Sequence, residues 1–332
     1  MTPLEAGAKA ALVFNSGMSA IVTALLAHAR PRPVGRLHPG SRSTAAQKFA
    51  QAFLEPWGVH GIAVPAGDAA RIELAIANAD DLAAVLVETP ANPTLVMTDV
   101  ARVADAASRL PRRPLVMVDN TLLGPTFQHP LELGADLCLY SATKYLAGFS
   151  DLIGGVALAA DPAVLAPMRS LRSLFGTILQ PDECWILDGR LPTVAPRMRA
   201  ATENAQRIAE RLAQHPAVRH VHYPTLFEDE EQRRIVAAQC EAPGAMLSLE
   251  LGTKASAFAF LRSVRIARNA VSLGGVETLA CHPRTTTHSG FTEREFEQAG
   301  VTEGLVRVSV GLEDWRDLVA DFEQALDAAG AA

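Results

Sequence analysis

Two apolar stretches of the chain run directly into residues that could do chemistry. Residues 115–118, Leu-Val-Met-Val, are followed by Asp119, and residues 136–140 lead into Ser141, Thr143 and Lys144. A carboxylate can bind a cationic ring nitrogen, hydroxyl groups can bind a phosphate, and an amine can attack a carbonyl carbon. This combination indicates a site for a phosphorylated aldehyde cofactor with a basic ring nitrogen.

Pyridoxal 5′-phosphate (PLP) has these features, and we predict that Lys144 forms the Schiff base with it. No acidic residue lies between Asp136 and Asp151, so no nearby carboxylate in the sequence would hold Lys144 as a surface ammonium. The alternative is a solvated lysine at the start of a helix, which is the usual situation of a lysine. The position after an apolar stretch favours the first interpretation.

Other polar residues also follow predicted strands. Asn92 comes shortly after the apolar residues 84–88, and Gly17 and Met18 lie between residues 12–14 and an apolar helical stretch. Parallel strands bring their carboxyl ends to one edge of a sheet, where ligands bind. The N–H groups at the start of a helix suit a phosphate, although Ser-Gly-Met by itself is a common helix start.

The composition indicates an α/β enzyme. The 332 residues are 49% hydrophobic and 20% charged, with a formal net charge of -6. The length allows two domains with a large core, and the acidic balance gives no basic surface for nucleic acid or anionic lipid. No apolar run approaches membrane-spanning length. The four cysteines are dispersed and no secretory signal is visible, so we expect reduced thiols and a cytoplasmic location.

Strand-like and helical stretches alternate as far as residue 190, which predicts a mainly parallel sheet. A long helix over residues 197–214 follows, and the remaining residues mix strands with helices. We therefore predict a large PLP-binding domain over residues 1–190 and a smaller α+β C-terminal domain over residues 191–332. The strands predicted from the apolar pattern are 84–88, 115–118, 136–140, 153–158, 246–251 and 305–310.

In these residues the sequence resembles the Cys/Met metabolism group of PLP-dependent enzymes, which includes cystathionine gamma-synthase, cystathionine gamma-lyase and methionine gamma-lyase. The matching segments are collinear from near residue 10 to the C-terminus. They are residues 14–18, 88–94, 118–121, 130–155, 272–279 and 304–313. The resemblance implies the PLP-dependent transferase fold type I, with a mainly parallel, seven-stranded-type sheet, and PLP as the cofactor.

The resemblance also implies a role for each matching residue. Lys144 would be the catalytic residue that also holds the cofactor, with Asp119 and Thr121 at the ring nitrogen. The phosphate would be bound by Gly17, Met18, Ser141 and Thr143. The substrate would contact Asn92, Ser272 and Arg307. Among these, the guanidinium of Arg307 would bind the substrate carboxylate as a two-pronged fork.

The implied function is trans-sulfuration, meaning γ-elimination or γ-replacement on cystathionine, methionine or an O-acyl homoserine. A homo-oligomer, either a dimer or a tetramer, is expected, without nucleic-acid or membrane partners. An aminotransferase of the same fold type is an alternative, which would require a second site for a substrate carboxylate. We expect no metal, because Cys281, His282 and His288 do not have a recognised ligand spacing.

Two elements of the family pattern are not found in the sequence. A Tyr-x-Arg element ahead of the Ser-Gly-Met turn reaches a neighbouring subunit in the family; we expect that arm to be absent here and the homo-oligomer to be weaker. A Tyr-Gly-Gly-Thr motif, whose tyrosine stacks on the cofactor ring in the family, is replaced by residues 31–44, with His38 or Arg42 as substitutes. This Arg/Pro/Ser-rich stretch is either a diverged loop or a short frameshifted stretch. The alternative function is therefore a catalytically impaired remnant that folds and binds PLP without turnover.

Overall fold

The computed structural model describes residues 1–28, 35–39 and 44–330, with side chains for residues 1–28 and 46–330. The chain forms two compact units. The first comprises Met1–Ala91, Val96–Leu146 and Asp151–Pro192, and the second comprises Asn92–Leu95, Ala147–Ser150 and Thr193–Ala332. Within the described residues, no helix is both long and apolar enough to cross a membrane.

The first unit is built around a seven-stranded sheet. Its strands are β1 (Ala10–Phe14), β2 (Gly35–Pro39), β3 (Val59–Gly61), β4 (Leu82–Glu88), β5 (Leu115–Asp119), β6 (Leu137–Ser141) and β7 (Gly155–Ala159). Its α-helices are α1 (Gly17–His28), α2 (Thr44–Phe49), α3 (Ala69–Ala77), α4 (Val100–Ser108), α5 (Gly124–Phe127), α6 (Pro162–Phe175) and α7 (Pro181–Arg190).

The strand order is β1-β7-β6-β5-β4-β2-β3. The pairs from β6 through β5, β4 and β2 to β3 are parallel, whereas β7 runs antiparallel to both of its neighbours, β1 and β6. The prediction of a mainly parallel, seven-stranded sheet is therefore confirmed. Because β5 and β6 are parallel neighbours, their carboxyl ends, which lead to Asp119 and Ser141, lie at the same edge.

Side chains on the two faces of this sheet form two separate hydrophobic clusters. Leu86, Met117 and Leu139 face one cluster, which includes residues of α1 and α6. Val85 and Val118 face the other, which includes residues of α3 and α4. Successive residues of a strand point to opposite faces, so a strand that is covered on both faces must be apolar throughout. This requirement explains the continuous apolar runs of β4, β5 and β6.

The second unit contains a five-stranded sheet with the order β10-β11-β12-β9-β8, in which the pairs are antiparallel except β10 with β11. Its strands are β8 (His220–His222), β9 (Met246–Glu250), β10 (Arg268–Asn269), β11 (Leu279–Cys281) and β12 (Leu305–Ser309). Its α-helices are α8 (Val194–Leu212), α9 (Glu230–Gln239), α10 (Lys254–Ser263), α11 (Glu293–Ala299) and α12 (Trp315–Gly330). The α+β character predicted for this part of the chain is confirmed.

Candidate active site

The start of α1 carries backbone hydrogen-bond donors that the helix itself does not use. Ser16 precedes the helix, and its Oγ accepts a hydrogen bond of 3.0 Å from the backbone N–H of Ser19. The Ser19 hydroxyl donates to Asn15 Oδ1 at 2.7 Å, which fixes this turn further. The first N–H groups of a helix have no intrahelical acceptor and lie at the positive end of the helix dipole. The N–H groups of Gly17 and Met18 occupy these positions.

Two glycines allow the backbone segments around this turn to approach closely. A Cβ atom on Gly17 would lie 2.9 Å from both Cα and Cβ of Ser141. A Cβ atom on Gly155 would collide with the carbonyl of Ser16. The start of α1 and the end of β6 can therefore lie side by side only because Gly17 and Gly155 lack side chains. This contact brings the predicted phosphate-binding residues Gly17 and Ser141 together.

The ends of β5 and β6 are joined by a chain of hydrogen bonds. The Thr121 hydroxyl donates to Asp119 Oδ1 at 2.6 Å and accepts from the Ser141 N–H at 2.8 Å. The Thr121 N–H also donates to Asp119 Oδ1, at 3.1 Å. Both bonds end on Oδ1, and within the described residues no donor is bound to Oδ2. The carboxyl is thus oriented, with one oxygen available for a cationic N–H group.

The protein packed around Asp119 makes its charged form less favourable. Burial raises the pKa of this half-buried carboxyl, and the two hydrogen bonds from Thr121 act in the opposite direction. A cation beside a carboxylate favours the ionised form. The site is consequently suited to a partner that brings positive charge, as a protonated ring nitrogen would.

Lys144 lies in the turn that follows β6, half-buried, and its N–H donates to the Ser141 carbonyl at 3.1 Å. The preceding Thr143 is held by Gly154. Its Oγ1 accepts from the Gly154 N–H at 3.0 Å and donates to the Gly154 carbonyl at 3.4 Å. Thr143 therefore fixes the turn that carries Lys144, and its predicted contact with the phosphate stays a prediction.

Arg307 is the central feature of the second unit. It lies in β12 between Ser248 of β9 and Cys281 of β11, and only 2% of its surface is exposed. Its Nη1 donates to Asn92 Oδ1 at 3.3 Å, and its Nη2 donates to the carbonyls of Val271 and Ser272 at 2.6 and 3.0 Å. The structure thus brings Arg307, Asn92 and Ser272 together, as predicted for the substrate-binding residues.

All these acceptors of Arg307 are neutral, and its buried Nε has no hydrogen-bond partner within the described residues. A buried charge without a counter-ion is costly, and arginine binds carboxylates through two parallel hydrogen bonds. The surroundings of Arg307 are therefore complementary to an anion with two oxygens.

His288, which was considered above only as a metal ligand, is a neighbour of Arg307. It is 3% exposed, and its Nδ1 lies 2.8 Å from the Thr287 hydroxyl. Burial and the positive charge of Arg307 lower the pKa of His288 to about 4, against the effect of a hydrogen bond with the Asn92 backbone. His288 is thus neutral near pH 7, and Arg307 supplies the positive charge. A buried histidine gives no signal in a single sequence.

His38 and Arg42 are the two residues proposed to face the cofactor ring in place of a tyrosine. Arg42 and the side chain of His38 lie outside the described residues. Ring contact by either residue stays a prediction. For the remaining residues of the first unit, the observed groups fit PLP: donors at the start of α1 and at Ser141 for the phosphate, Asp119 for the ring nitrogen, and the amine of Lys144.

Known proteins match the chain over nearly its full length. Cystathionine beta-lyase MetC of Bacillus subtilis (strain 168) is 36% identical over 323 residues, which cover 97% of this chain and 81% of the relative. L-methionine gamma-lyase of Pseudomonas deceptionensis is 39% identical over 332 residues, covering 99% and 81%. The crystal structure of cystathionine gamma synthase from Xanthomonas oryzae pv. oryzae in complex with cystathionine superposes with a TM-score of 0.93 at 34% identity, covering 99% and 84%.

With the sheet and the residues around Lys144, these matches define a PLP-dependent enzyme of fold type I. The model of the Cys/Met metabolism PLP-dependent enzyme family matches residues 1–327. The chain belongs to this family, so the predicted family, fold type and cofactor are confirmed. The roles of individual residues stay predictions.

Proposed function

We propose that this protein is a trans-sulfuration enzyme that catalyses γ-elimination or γ-replacement. It would cleave or form a carbon–sulfur bond on cystathionine, methionine or an O-acyl homoserine. The relatives named above support the reaction class, since their names include a methionine gamma-lyase and a cystathionine gamma synthase. Family membership supports PLP as the cofactor.

The observation that carries this proposal is the buried guanidinium of Arg307. Its acceptors are neutral oxygens of Asn92, Val271 and Ser272, so an α-carboxylate would provide the missing negative charge. An amino-acid substrate has such a group, whereas a simple amine does not. We assign carboxylate binding to Arg307 and the orientation of its fork to Asn92 and Ser272.

The first unit would hold the cofactor. The N–H groups of Gly17 and Met18 and the hydroxyl of Ser141 would bind the phosphate, and Asp119 would keep the ring nitrogen protonated. PLP, when bound, supplies an electron sink that stabilises negative charge at the substrate α-carbon. Lys144 would hold the cofactor through its amine and then move protons between the α- and β-carbons of the substrate. Its half-buried position limits solvation of that amine.

A remnant that binds PLP without turnover is the second candidate. It is favoured by one sequence observation: no tyrosine precedes Tyr140, so a tyrosine in the usual ring-stacking position is missing. The remnant and the active enzyme would share the cofactor-binding residues. They differ in what happens after a substrate is added.

An absorbance spectrum with added PLP separates these possibilities. The test compares the unchanged protein with Lys144→Ala and with Lys9→Ala, a control at an exposed lysine. We expect a visible band that requires Lys144 but not Lys9, changes with cystathionine, methionine or an O-acyl homoserine, and accompanies release of a keto acid or a replacement product. A Lys144-dependent band without turnover would establish the remnant. No band would reject PLP binding.

We further propose a cytoplasmic homo-oligomer, either a dimer or a tetramer. Large apolar side chains of the first unit are exposed to solvent, with Leu174 at 78% and Trp185 at 80%. Such side chains are common where subunits associate. Sedimentation should show an oligomer, and the substitution Trp185→Glu should weaken its association. A monomer at all concentrations would contradict this proposal.

A further inference from the structure

A buried polar network lies in the first unit around the carboxyl of Glu5, a residue whose side chain is 1% exposed. The hydroxyl of Tyr140, in β6, donates to Glu5 Oε2. The same hydroxyl accepts from Asn120 Nδ2 at 2.9 Å. Glu5 thus reaches, through one tyrosine, the residue that follows Asp119 at the end of β5.

Asn120 extends the network to a third strand. The two hydrogens of its Nδ2 are shared among the Tyr140 hydroxyl and the carbonyls of Gly124 and Gln128, which lie 3.1 and 2.8 Å away. Gln128 Nε2 donates to Asn120 Oδ1 at 2.9 Å and to the Thr89 carbonyl, just beyond β4, at 3.0 Å. The ends of β4, β5 and β6 are therefore tied together by side chains with no exposed surface or almost none.

This network adjoins the proposed cofactor residues along the chain. Asn120 lies between Asp119 and Thr121, and Tyr140 directly precedes Ser141. The Thr121 hydroxyl donates to Asp119 and accepts from the Ser141 N–H, whereas the side chains of Asn120 and Tyr140 bind within the network. A displacement of Asn120 or Tyr140 must consequently move residues of the cofactor site.

Glu5 has no strong cationic partner among the described residues. Its Oε1 makes no hydrogen bond there, and the nearest basic atom, His129 Nδ1, lies 3.9 Å away. His129 Nδ1 also accepts from the Ala6 N–H, at 3.4 Å. Tyr140 and Cys138 of β6 are titratable groups near this carboxyl, and so are His129 and Glu132 in the segment between α5 and β6. Asp119 of β5 is a further titratable group, and its charge acts on the Cys138 thiol.

Burial raises the pKa of Glu5 to about 8; the Tyr140 hydrogen bond opposes this shift and the charge of Glu132 adds to it. Burial also raises the pKa values of Tyr140 and Cys138 well above their ordinary range, so both stay protonated near neutrality. Glu5 therefore loses its proton and becomes negatively charged just above neutral pH, whereas Tyr140 and Cys138 stay neutral there.

We propose that Glu5 is a positioning residue: its protonated carboxyl, acting through Tyr140 and Asn120, holds the ends of β5 and β6 so that Asp119, Thr121 and Ser141 are arranged for the cofactor. Loss of the proton places an uncompensated charge in the network and loosens this arrangement. The inference rests on the proposed function for its cofactor site. The proton on Glu5 itself does not depend on that function.

The sign of the effect on stability follows from the two pKa values. Glu5 has a raised pKa in the folded chain, about 8 against an ordinary 4.5. Between these values the folded chain holds a proton that the unfolded chain has lost, so stability falls as the pH rises. Each pH unit multiplies the unfolding equilibrium constant by up to about ten. Above about pH 8 both states are deprotonated, and this contribution no longer changes.

The test uses Glu5→Gln, with Glu132→Gln as a control at an exposed neighbouring carboxylate. Urea unfolding without PLP is measured from pH 6 to 9. Between pH 6 and 8 we expect the unfolding constant of the unchanged protein to rise about 10- to 100-fold relative to Glu5→Gln. Glu132→Gln should keep this rise. An identical pH dependence in all three proteins would overturn the proposal.

The positioning role is tested by PLP affinity, measured by fluorescence over the same pH range. From pH 7 to 9 we expect affinity to fall about fivefold or more in the unchanged protein and to stay level, apart from shared effects, in Glu5→Gln. Tyr140→Phe provides a second test, because Glu5 keeps its proton while the link to Asn120 is lost. This variant should keep the unfolding slope and lose the pH dependence of binding.

The outcomes separate the two proposals. If unfolding follows Glu5 but the affinity profile is the same in Glu5→Gln, the carboxyl titrates without positioning the site, and the inference is wrong. If the unchanged protein binds no PLP at any pH, the proposed function fails and the positioning role fails with it. If Glu5→Gln does not fold, Tyr140→Phe still provides a test. The inference is also wrong if the pH dependence of PLP affinity in Tyr140→Phe is the same as in the unchanged protein.

Discussion

Replacement of Arg307 by lysine keeps the positive charge and removes the planar fork. In a fork of two parallel hydrogen bonds to a carboxylate, Nη2 would donate one of its two hydrogens to the carboxylate and keep the other for the carbonyl of Val271 or Ser272. A lysine ammonium is a point charge on a flexible stem and cannot reproduce both sets of bonds. We therefore expect Arg307→Lys to fold with a moderate loss of stability and to bind amino-acid substrates more weakly.

The magnitude follows from the number of bonds lost. A hydrogen bond to a charged group contributes about 1.5–3 kcal/mol, so losing one prong of the fork costs about that amount. At about 1.4 kcal/mol for each factor of ten, binding should weaken by roughly 10- to 150-fold. The loss should affect a substrate carboxylate and spare a ligand that has a neutral amide in its place.

Dissociation constants for methionine and methioninamide, measured from the spectrum of the PLP-loaded protein, provide the assay. Arg284→Lys is the matched control, because this arginine of the second unit already pairs with Glu293 and Glu303. We expect the preference for the carboxylate to shrink in Arg307→Lys and to stay unchanged in Arg284→Lys. Equal preference in Arg307→Lys and the unchanged protein would refute carboxylate binding by this residue.

Two further substitutions test the packing of each unit. Gly17→Ala should weaken PLP binding by about 5- to 150-fold, since overpacking against Ser141 costs about 1–3 kcal/mol. Gly189→Ala, where a Cβ meets nothing within 4 Å, should bind PLP normally. Equal affinities would contradict the close approach. Asp321→Ala should lower the free energy of unfolding by about 3 kcal/mol or more in urea, and Asp321→Asn by less, because a buried carboxylate that is 4% exposed accepts three backbone hydrogen bonds. A loss of unfolding free energy under about 1 kcal/mol in Asp321→Ala would contradict a stabilising role of these hydrogen bonds. The donors to the Asp321 carboxylate are the backbone N–H groups of Arg265, Ile266 and Ala267.

The sequence predicted the strands that lead to the site because their composition follows from burial on both faces. The predicted strand 115–118 corresponds to Leu115–Asp119, and 136–140 corresponds to Leu137–Ser141. A parallel strand covered on both sides must be apolar until it ends, so the first polar residue marks the edge where ligands bind. Asp119 and Lys144 could be found in this way from local pattern alone.

Other features depend on contacts that no local pattern contains. Glu5 lies in an ordinary Leu-Glu-Ala-Gly sequence, and its buried carboxyl binds Tyr140, which lies 135 residues further along the chain. The antiparallel direction of β7 likewise depends on its place between β1 and β6, not on its apolar composition. The lowered pKa of His288 also depends on such contacts, because it results from burial and from the nearby charge of Arg307.

The second unit is not encoded by one continuous piece of sequence. Ser248 donates to the Pro93 carbonyl at 2.8 Å, and Arg307 donates to Asn92, which lies 215 residues earlier. A gene fragment that begins at Thr193 would therefore encode β12 with Arg307 but would lack Asn92, the amide that accepts a hydrogen bond from Arg307. During synthesis on the ribosome, the Asn92–Leu95 segment is made long before its partners Ser248 and Arg307. Exchange of this unit between relatives by recombination would have to carry three stretches of sequence together.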